Sequence, residues 1–222
     1  MPAILIEISF FEALFKQHYT KGFRLSYPIP LPTSVAGIFG ALLGIVREEI
    51  KEKFKDFYFG AKLLNLPREN YENATFIQIG KKFKNWPPGV SFTQILQEPV
   101  YKIAIAYKNE KEINEIFYNL SKGFKFLPYG GQNDYFVKDI KILGIEEIKE
   151  TDVVENYTPK DWVKKIEIEG PESFLTILPV MHKISNEPFY FGYKTKIFLE
   201  NPILTVDNIA LYELSQFYYP TQ

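Results

Sequence analysis

The sequence YTKGFRLSYPIPLPTSVAGIFGALLGIVR, residues 19–47, decides the fold that we expect for this chain. It opens with basic residues among aromatic ones and continues through three prolines. Proline fixes φ and removes a backbone donor, so the middle of the stretch is predicted to be extended. The hydroxyl of Thr33 or Ser34 then suits a helix N-cap, and the apolar pattern that follows predicts a helix as far as about Phe54.

Three glycines interrupt this predicted helix, and each costs about 1 kcal/mol relative to alanine in a helix interior. Gly37 and Gly44 fall on one face together with Ala41, with Gly40 beside them, so another backbone can approach closely. The amides of the first turn also carry partial positive charge and suit a phosphate. Tight packing of the helix on a sheet and an anion site at its tip both explain the pattern, and the two are compatible.

Composition places the chain among globular proteins. Its 222 residues, 46% hydrophobic and 24% charged, suffice for one core or for one domain with a smaller second one. With no cysteine and only two histidines, we expect a reducing compartment, no metal site and no other cofactor. The N-terminus lacks the features of a signal peptide, and the apolar run at 35–46 is too short to span a bilayer. We therefore predict a cytoplasmic protein without membrane contact.

The charge distribution indicates a polyanion site. A net charge of −1 argues against a free-standing nucleic-acid binder, yet three acid-free segments are both basic and rich in aromatic residues. Such segments are what a nucleic-acid site assembled from separate loops needs, although chance clustering in short windows also explains them. They are 13–47 with Lys16, Lys21, Arg24 and Arg47, 78–97 with Lys81, Lys82 and Lys84, and 118–133 with Lys122 and Lys125.

The predicted elements give an α+β fold. Alternating patterns predict strands at 3–10, 74–80, 90–96, 99–107 and 136–145, and helical spacing predicts a second helix at 110–120. This order is that of a β-α-β-β-α-β ferredoxin-like (RRM-like) unit with residues 74–96 inserted as a hairpin thumb. The charged segment 146–161 is expected to be a loop between a domain of residues 1–147 and a small all-β domain of residues 148–222.

Two loops and one histidine carry the candidate chemistry. Trp86 is expected at the tip of the hairpin, beside its lysines, where it suits base stacking. The pair Gly130–Gly131 offers backbone N–H groups to a phosphate or forms an ordinary turn. His18, with Tyr19 and Lys21, forms a group able to cleave RNA without a metal, or only to contact it. His182 follows an apolar strand and is interpreted as structural or as a surface residue.

Residues 23–45, FRLSYPIPLPTSVAGIFGALLGI, resemble the N-terminal signature of the fifth CRISPR-associated protein family, in the RAMP superfamily. The resemblance continues through EPVYKIAIAY (98–107) and FLPYGGQNDYFVKDI (126–140), and covers about the first 145 residues. It implies a ferredoxin-like domain with a thumb and a subunit of a type I Cascade complex. Such a subunit binds the 5′ handle of the crRNA and contacts other subunits, especially the repeated backbone subunit and the large subunit.

Some members of that family cut precursor crRNA with a tyrosine and a Lys-His pair. This chain has no adjacent Lys-His in its N-terminal domain, and residues 181–183, Met-His-Lys, have the reverse order in another region. We therefore expect binding without catalysis. Two alternatives remain. One is a metal-independent endoribonuclease that uses His18, Tyr19 and Lys21, and the other is a protein scaffold without RNA contact. The predicted RNA-binding residues are Lys16, Lys21, Arg24, Thr33, Ser34, Lys81, Lys82, Lys84, Trp86, Gly130 and Gly131.

Overall fold

The computed structural model describes residues 1–20, 22–76 and 89–217. The strands are, in chain order, β1 (Pro2–Phe10), β2 (Glu12–Ala13), β3 (Phe15–Lys16), β4 (Phe23–Arg24), β5 (Ser26–Tyr27), β6 (Tyr58–Leu63), β7 (Arg68–Phe76), β8 (Gly89–Gln97), β9 (Val100–Ala106), β10 (Val137–Glu147), β11 (Lys149–Val154), β12 (Tyr157–Pro159), β13 (Val163–Ile168), β14 (Phe174–Leu178), β15 (Phe189–Tyr193), β16 (Thr195–Val206), β17 (Ile209–Ala210) and β18 (Tyr212–Glu213). The α-helices are α1 (Pro32–Leu43), α2 (Arg47–Lys53) and α3 (Glu110–Lys122). Within the described ranges, no helix is long and apolar enough to cross a bilayer.

The central sheet has the strand order β10-β1-β9-β6-β18, and every neighbouring pair is antiparallel. Helices α1 and α3 contact each other and the sheet, so they lie on the same face of it. The first half of strand β1 is apolar on both sides because both faces of the sheet are covered there. Ile4, Ile6 and Ile8 pack in the main core, and Ala3 and Leu5 pack in a second cluster on the other face. Antiparallel sheets with helices confirm the predicted α+β class.

The predicted helix to Phe54 is wrong, because α1 ends at Leu43 and α2 begins only at Arg47. Gly44 adopts the left-handed conformation, with φ of +75°, and its N–H bonds to Ala41 O. This is a common way for a helix to end, and glycine adopts it without the strain of a side chain. The glycine at 44 therefore terminates the helix rather than lying inside it.

The predicted N-cap at Thr33 or Ser34 is also wrong. Leu31 is the N-cap residue, and its carbonyl accepts the N–H groups of Ser34 and Val35 at 2.8 and 3.0 Å. Pro32 occupies the first helical position, where its fixed φ suits the helix and its missing N–H costs nothing. Thr33 and Ser34 are thus residues of the first helical turn.

The inserted hairpin is longer than predicted. Strands β7 and β8 pair from Arg68 with Gln97 to Phe76 with Gly89, so the hairpin begins at 68 rather than at 74. Short strands β2 and β4 extend its base into a four-stranded sheet. Residues 77–88 and Lys21 lie outside the described residues, and with them four of the predicted contact residues of the hairpin. These are Lys81, Lys82, Lys84 and Trp86.

Segment 146–161, predicted to be a charged loop, is mostly strand, since it contains the end of β10, all of β11 and β12, and only short connections. After it, β13 and β14 pair in succession with β16 and β15. They form a long bent hairpin whose connecting residues, 179–188, reach Tyr27 in the N-terminal part. Strand β18 then joins the central sheet beside β6. The division into two domains at residue 147 stays a prediction.

Candidate functional site

The N-terminus of α1 is where several of the predicted site residues meet. A cavity of about 240 Å³ is lined there by Lys16, His18, Thr33 and Ser34. Lys16 and His18 come from β3 and the turn after it, and the two hydroxyl residues come from the first turn of α1. The loop 179–188 closes the other side of the cavity with Val180 and Met181.

His18 is held by a partner that sequence reasoning missed. The Tyr27 hydroxyl donates to Pro179 O at 2.9 Å and lies 3.1 Å from His18 Nδ1. A hydroxyl has one proton, so His18 donates its Nδ1–H to Tyr27 and keeps Nε2 as an acceptor. Burial lowers the pKa of His18 and raises the pKa of Tyr27, so both side chains favour their neutral forms. Tyr19 packs edge-on against the imidazole, with ring centres 5.5 Å apart.

A larger cleft, of about 840 Å³, begins at the same helical turn. Thr33 and Ser34 line it at one end, and Gly37 and Ala41 continue along the same face of α1. The opposite wall is the segment 126–131. The remaining lining residues are Phe15, Ile38, Ile45, Val46, Arg47, Glu48, Ile50 and Lys51.

The Gly130–Gly131 pair has a structural role that the sequence did not reveal. A Cβ at Gly130 would lie 2.6 Å from Glu12 O, and Gly131, with φ of +90°, would place one against Leu14 O. The Leu14 N–H also bonds to Gly130 O at 2.7 Å. Glycine is therefore required for the close approach of two backbones. Gly131 lines the larger cleft as well, so its predicted contact with RNA remains a prediction.

Arg24 lies apart from both cavities. Its Nη2 donates to Gln132 Oε1 at 2.5 Å, which ties strand β4 to the loop that follows the glycine pair. The predicted basic site is therefore divided in the structure. Lys16, Thr33 and Ser34 surround the helix start, and Arg24 belongs to the base of the hairpin.

His182 has the structural role that its position suggested. The side chain is 7% exposed, and its Nδ1 accepts the N–H groups of Ile184 and Ser185, both at 3.3 Å. The other ring nitrogen therefore carries the proton and donates to Glu187 O at 3.0 Å. In the part of the chain that the structure describes, no group of three or more His, Asp or Glu side chains is arranged to hold a metal ion.

No protein-family model matches this sequence, and no curated protein matches it either. Two solved structures have a similar fold over almost the whole chain. One is a chain of a "CRISPR RNA-guided surveillance complex", with a TM-score of 0.54 and 15% identity over 90% of this chain and 91% of the other. The second is a CRISPR protein from Archaeoglobus fulgidus, with a TM-score of 0.52 and 15% identity over 96% of this chain and 100% of the other. At this identity the likeness is one of fold.

Proposed function

We propose that this protein is a CRISPR-associated subunit that binds the 5′ handle of the crRNA in a Cascade-type complex. The observation that carries the proposal is the meeting of Lys16, His18, Thr33, Ser34 and Gly131 around the start of α1. These residues come from two of the three acid-free segments, 13–47 and 118–133. A cation, two hydroxyls and a helix N-terminus next to a cleft suit a phosphate backbone.

The fold supports the same proposal. We propose that β1, α1, β6, β9, α3 and β10 form a ferredoxin-like RAMP domain, since the sheet order β10-β1-β9-β6 and the two helices on one face suit that unit. The hairpin β7–β8 is inserted between its second and third strands, in the position proposed for the thumb. The similar fold of a chain in an RNA-guided surveillance complex agrees with this assignment.

The proposed partners are crRNA and the other subunits of the complex, especially the repeated backbone subunit and the large subunit. A net charge of −1 gives the isolated chain little electrostatic attraction for RNA beyond its local basic segments. We therefore propose that it acts within an assembly, in which neighbouring subunits supply further phosphate contacts. Binding by shape and phosphate contacts, and not a chemical step, is the proposed activity.

The endoribonuclease alternative rests on one observation, that His18 and Lys16 line the same cavity. A neutral histidine is able to accept a proton, and a lysine is able to stabilise a phosphorane. Cleavage also requires an acid for the leaving oxygen, and the Tyr27 hydroxyl is engaged with Pro179 O. We favour binding without cleavage, because His18 is the one histidine among the described residues that line this cavity, and the proton steps of cleavage need both a base and an acid.

Direct RNA binding tests the proposal. The purified protein is titrated with a fluorescent RNA of the repeat-derived 5′ handle at several salt concentrations. We expect weaker binding from each of four variants, Lys16→Ala, Lys21→Ala, Arg24→Ala and Lys82→Ala. Each should also reduce the slope of log K against log salt by about 0.7 per lost phosphate contact with a single strand. Lys164→Ala, which changes an exposed lysine of β13, is the matched control and should bind as the parent does.

Two results contradict the proposal. A parent protein that binds handle RNA no better than an unrelated single strand of equal length lacks the handle recognition that we propose. If all four lysine and arginine variants bind as the parent does, these basic residues do not form the site. Variants that bind RNA normally and fail only to enter the complex would support the scaffold alternative.

A further inference from the structure

No packing contact within the described residues explains the glycine at position 37. It lies inside α1, where glycine is unfavourable relative to alanine. A Cβ at this position would meet no described atom within 4 Å. The space in front of Gly37 is the larger cleft, so its missing side chain leaves room for something outside the described chain.

The other two glycines of this region are explained by contacts within the protein. A Cβ at Gly40 would lie 2.9 Å from Ile50 Cδ1, so Gly40 lets α2 pack closely against α1. Gly44 adopts the left-handed conformation, and a Cβ there would lie 3.1 Å from the side chain of Lys125. Gly37 therefore differs from both, because the space beside it belongs to the cleft and not to a packing contact within the protein.

The wall opposite Gly37 presents aromatic rings to solvent. Phe126 is 63% exposed and Tyr129 is 46% exposed, and both line the cleft. The segment that carries them is fixed to α1, since the N–H groups of Lys125 and Phe126 bond to Leu42 O and Ala41 O at 3.0 and 3.1 Å. These rings are thus held at the rim of the cleft by a rigid support.

Charge and size favour one kind of occupant. Arg47 and Lys51 line the cleft at the α2 end, where Glu48 is the acidic residue, and Lys125 lies beside Gly44. The hydroxyls of Thr33 and Ser34 lie at the other end. A volume of about 840 Å³ is in the range of small-ligand sites. Exposed aromatic rings along a basic groove are the usual arrangement for binding unpaired nucleotides.

We propose that this cleft holds a single-stranded segment of RNA, with bases stacked on Phe126 and Tyr129 and the strand passing over Gly37. The inference rests on the proposed function and adds the place and mode of contact. Among the residues that line the cleft, Arg47 and Lys51 outnumber Glu48, and this charge complements phosphate groups. The absent side chain at Gly37 allows a ribose or base to lie directly on the helix backbone.

The experiment measures handle-RNA affinity by fluorescence anisotropy and thermal unfolding for the same set of variants. Phe126→Ala and Tyr129→Ala should each weaken binding by about 5- to 150-fold, the loss of one base–aromatic stack, without changing the salt slope. Arg47→Ala should instead reduce the salt slope by about 0.7. Gly37→Met should weaken binding while leaving Tm unchanged or higher, because its side chain enters open space.

A matched control isolates the cleft. Tyr118→Ala removes an exposed ring, 57% accessible, from α3, and Tyr118 does not line the cleft. This variant should bind RNA as the parent does. Because Phe126 and Tyr129 are exposed, their variants should fold, so they decide the question even if Gly37→Met is unstable.

The outcomes separate this inference from the proposed function. If the parent binds handle RNA and the cleft variants bind equally well, the inference is wrong and the proposed function stands. If the parent does not bind RNA, both are wrong. If the cleft variants bind RNA normally but no longer assemble with other subunits, the cleft receives a protein partner and the inference is wrong.

Discussion

Alanine substitution of the three glycines of residues 32–44 should change stability in different directions. Gly37→Ala adds a methyl group in open space and improves helix propensity by about 1 kcal/mol. Gly44→Ala places an L-residue at φ of +75°, which costs roughly 1–2 kcal/mol. Its Cβ would also lie 3.1 Å from the Lys125 side chain. The two variants should therefore differ by about 2–3 kcal/mol although both make the same chemical change.

Gly40→Ala is the intermediate case. The gain in helix propensity, about 1 kcal/mol, is opposed by a Cβ 2.9 Å from Ile50 Cδ1. Ile50 is buried, so its side chain has little room to move. Overpacking of this kind typically costs about 1–3 kcal/mol, and we expect a net loss of stability. Gly40→Leu and Gly44→Leu add more atoms to the same contacts and should be less stable than their alanine counterparts.

The assay is thermal and urea unfolding followed by circular dichroism. For a chain of this size 1 kcal/mol corresponds to about 2–4 °C in Tm. Gly37→Ala should thus melt about 2–4 °C above the parent, and Gly44→Ala about 2–8 °C below it. If Gly40→Leu and Gly44→Leu both melt like the parent, the glycines face solvent and our account of the contact between α1, α2 and Lys125 is wrong.

Two further predictions concern the histidines. The protein should bind repeat RNA without cutting it, in EDTA or with a divalent metal; specific cleavage by the parent that is lost in His18→Ala would promote the nuclease alternative. Burial lowers the pKa of His182, although the bond to Glu187 O and the nearby Asp161 raise it. The unfolded chain therefore takes up protons first as the pH falls below the ordinary histidine value of 6.5. The stability that His182 contributes is fully present above pH 6.5 and is lost as the pH falls through the pKa of His182 in the folded protein. His182→Gln lacks this contribution, so it should lose less stability than the parent between pH 7 and 5. Burial also lowers the pKa of His18, so His18→Gln should change the pH dependence in the same direction. Equal slopes for His182→Gln and the parent would contradict this account.

Regular hydrophobic patterns explain why much of the fold is predictable. Strands β1 and β9 and helix α3 lie close to where alternation and helical spacing place them, because each buries a periodic set of side chains against the core. The hairpin is recognisable from its two apolar strands, but its start at Arg68 is not. Residues 68–73 are mostly polar, so no burial pattern marks them as a strand.

The break in the helix required information from distant residues. The glycine at 44 is visible in the sequence, but a glycine inside an apolar pattern is compatible with a continuous helix. Its left-handed conformation is accompanied by the segment at 125–126, whose N–H groups satisfy the last carbonyls of α1. The requirement for glycine at Gly130 and Gly131 was not predictable for the same reason, because it depends on the distant backbone at Glu12 and Leu14.

The candidate site was predictable only in its N-terminal part. Thr33, Ser34 and Lys16 follow from the local pattern around the prolines, and the structure places all of them at the start of α1. The contact between Tyr27 and Pro179 joins residues 152 positions apart, so no local sequence pattern predicts it. The C-terminal hairpin therefore contributes to the site through a contact that only the folded chain reveals.

Helix α1 packs against the sheet on one side and borders the cleft on the other, so its roles in stability and in binding can be tested separately. Val35, Phe39 and Leu42 are buried between the helix and the sheet, so substitutions there should act on stability. Gly37, by contrast, faces the cleft, and a side chain there meets no described atom. If one helix both supports the core and receives RNA, variants on the two sides should divide into those that alter unfolding and those that alter binding. A helix that serves only as a packing element would not show such a division, because its cleft side would tolerate any small side chain without a functional change.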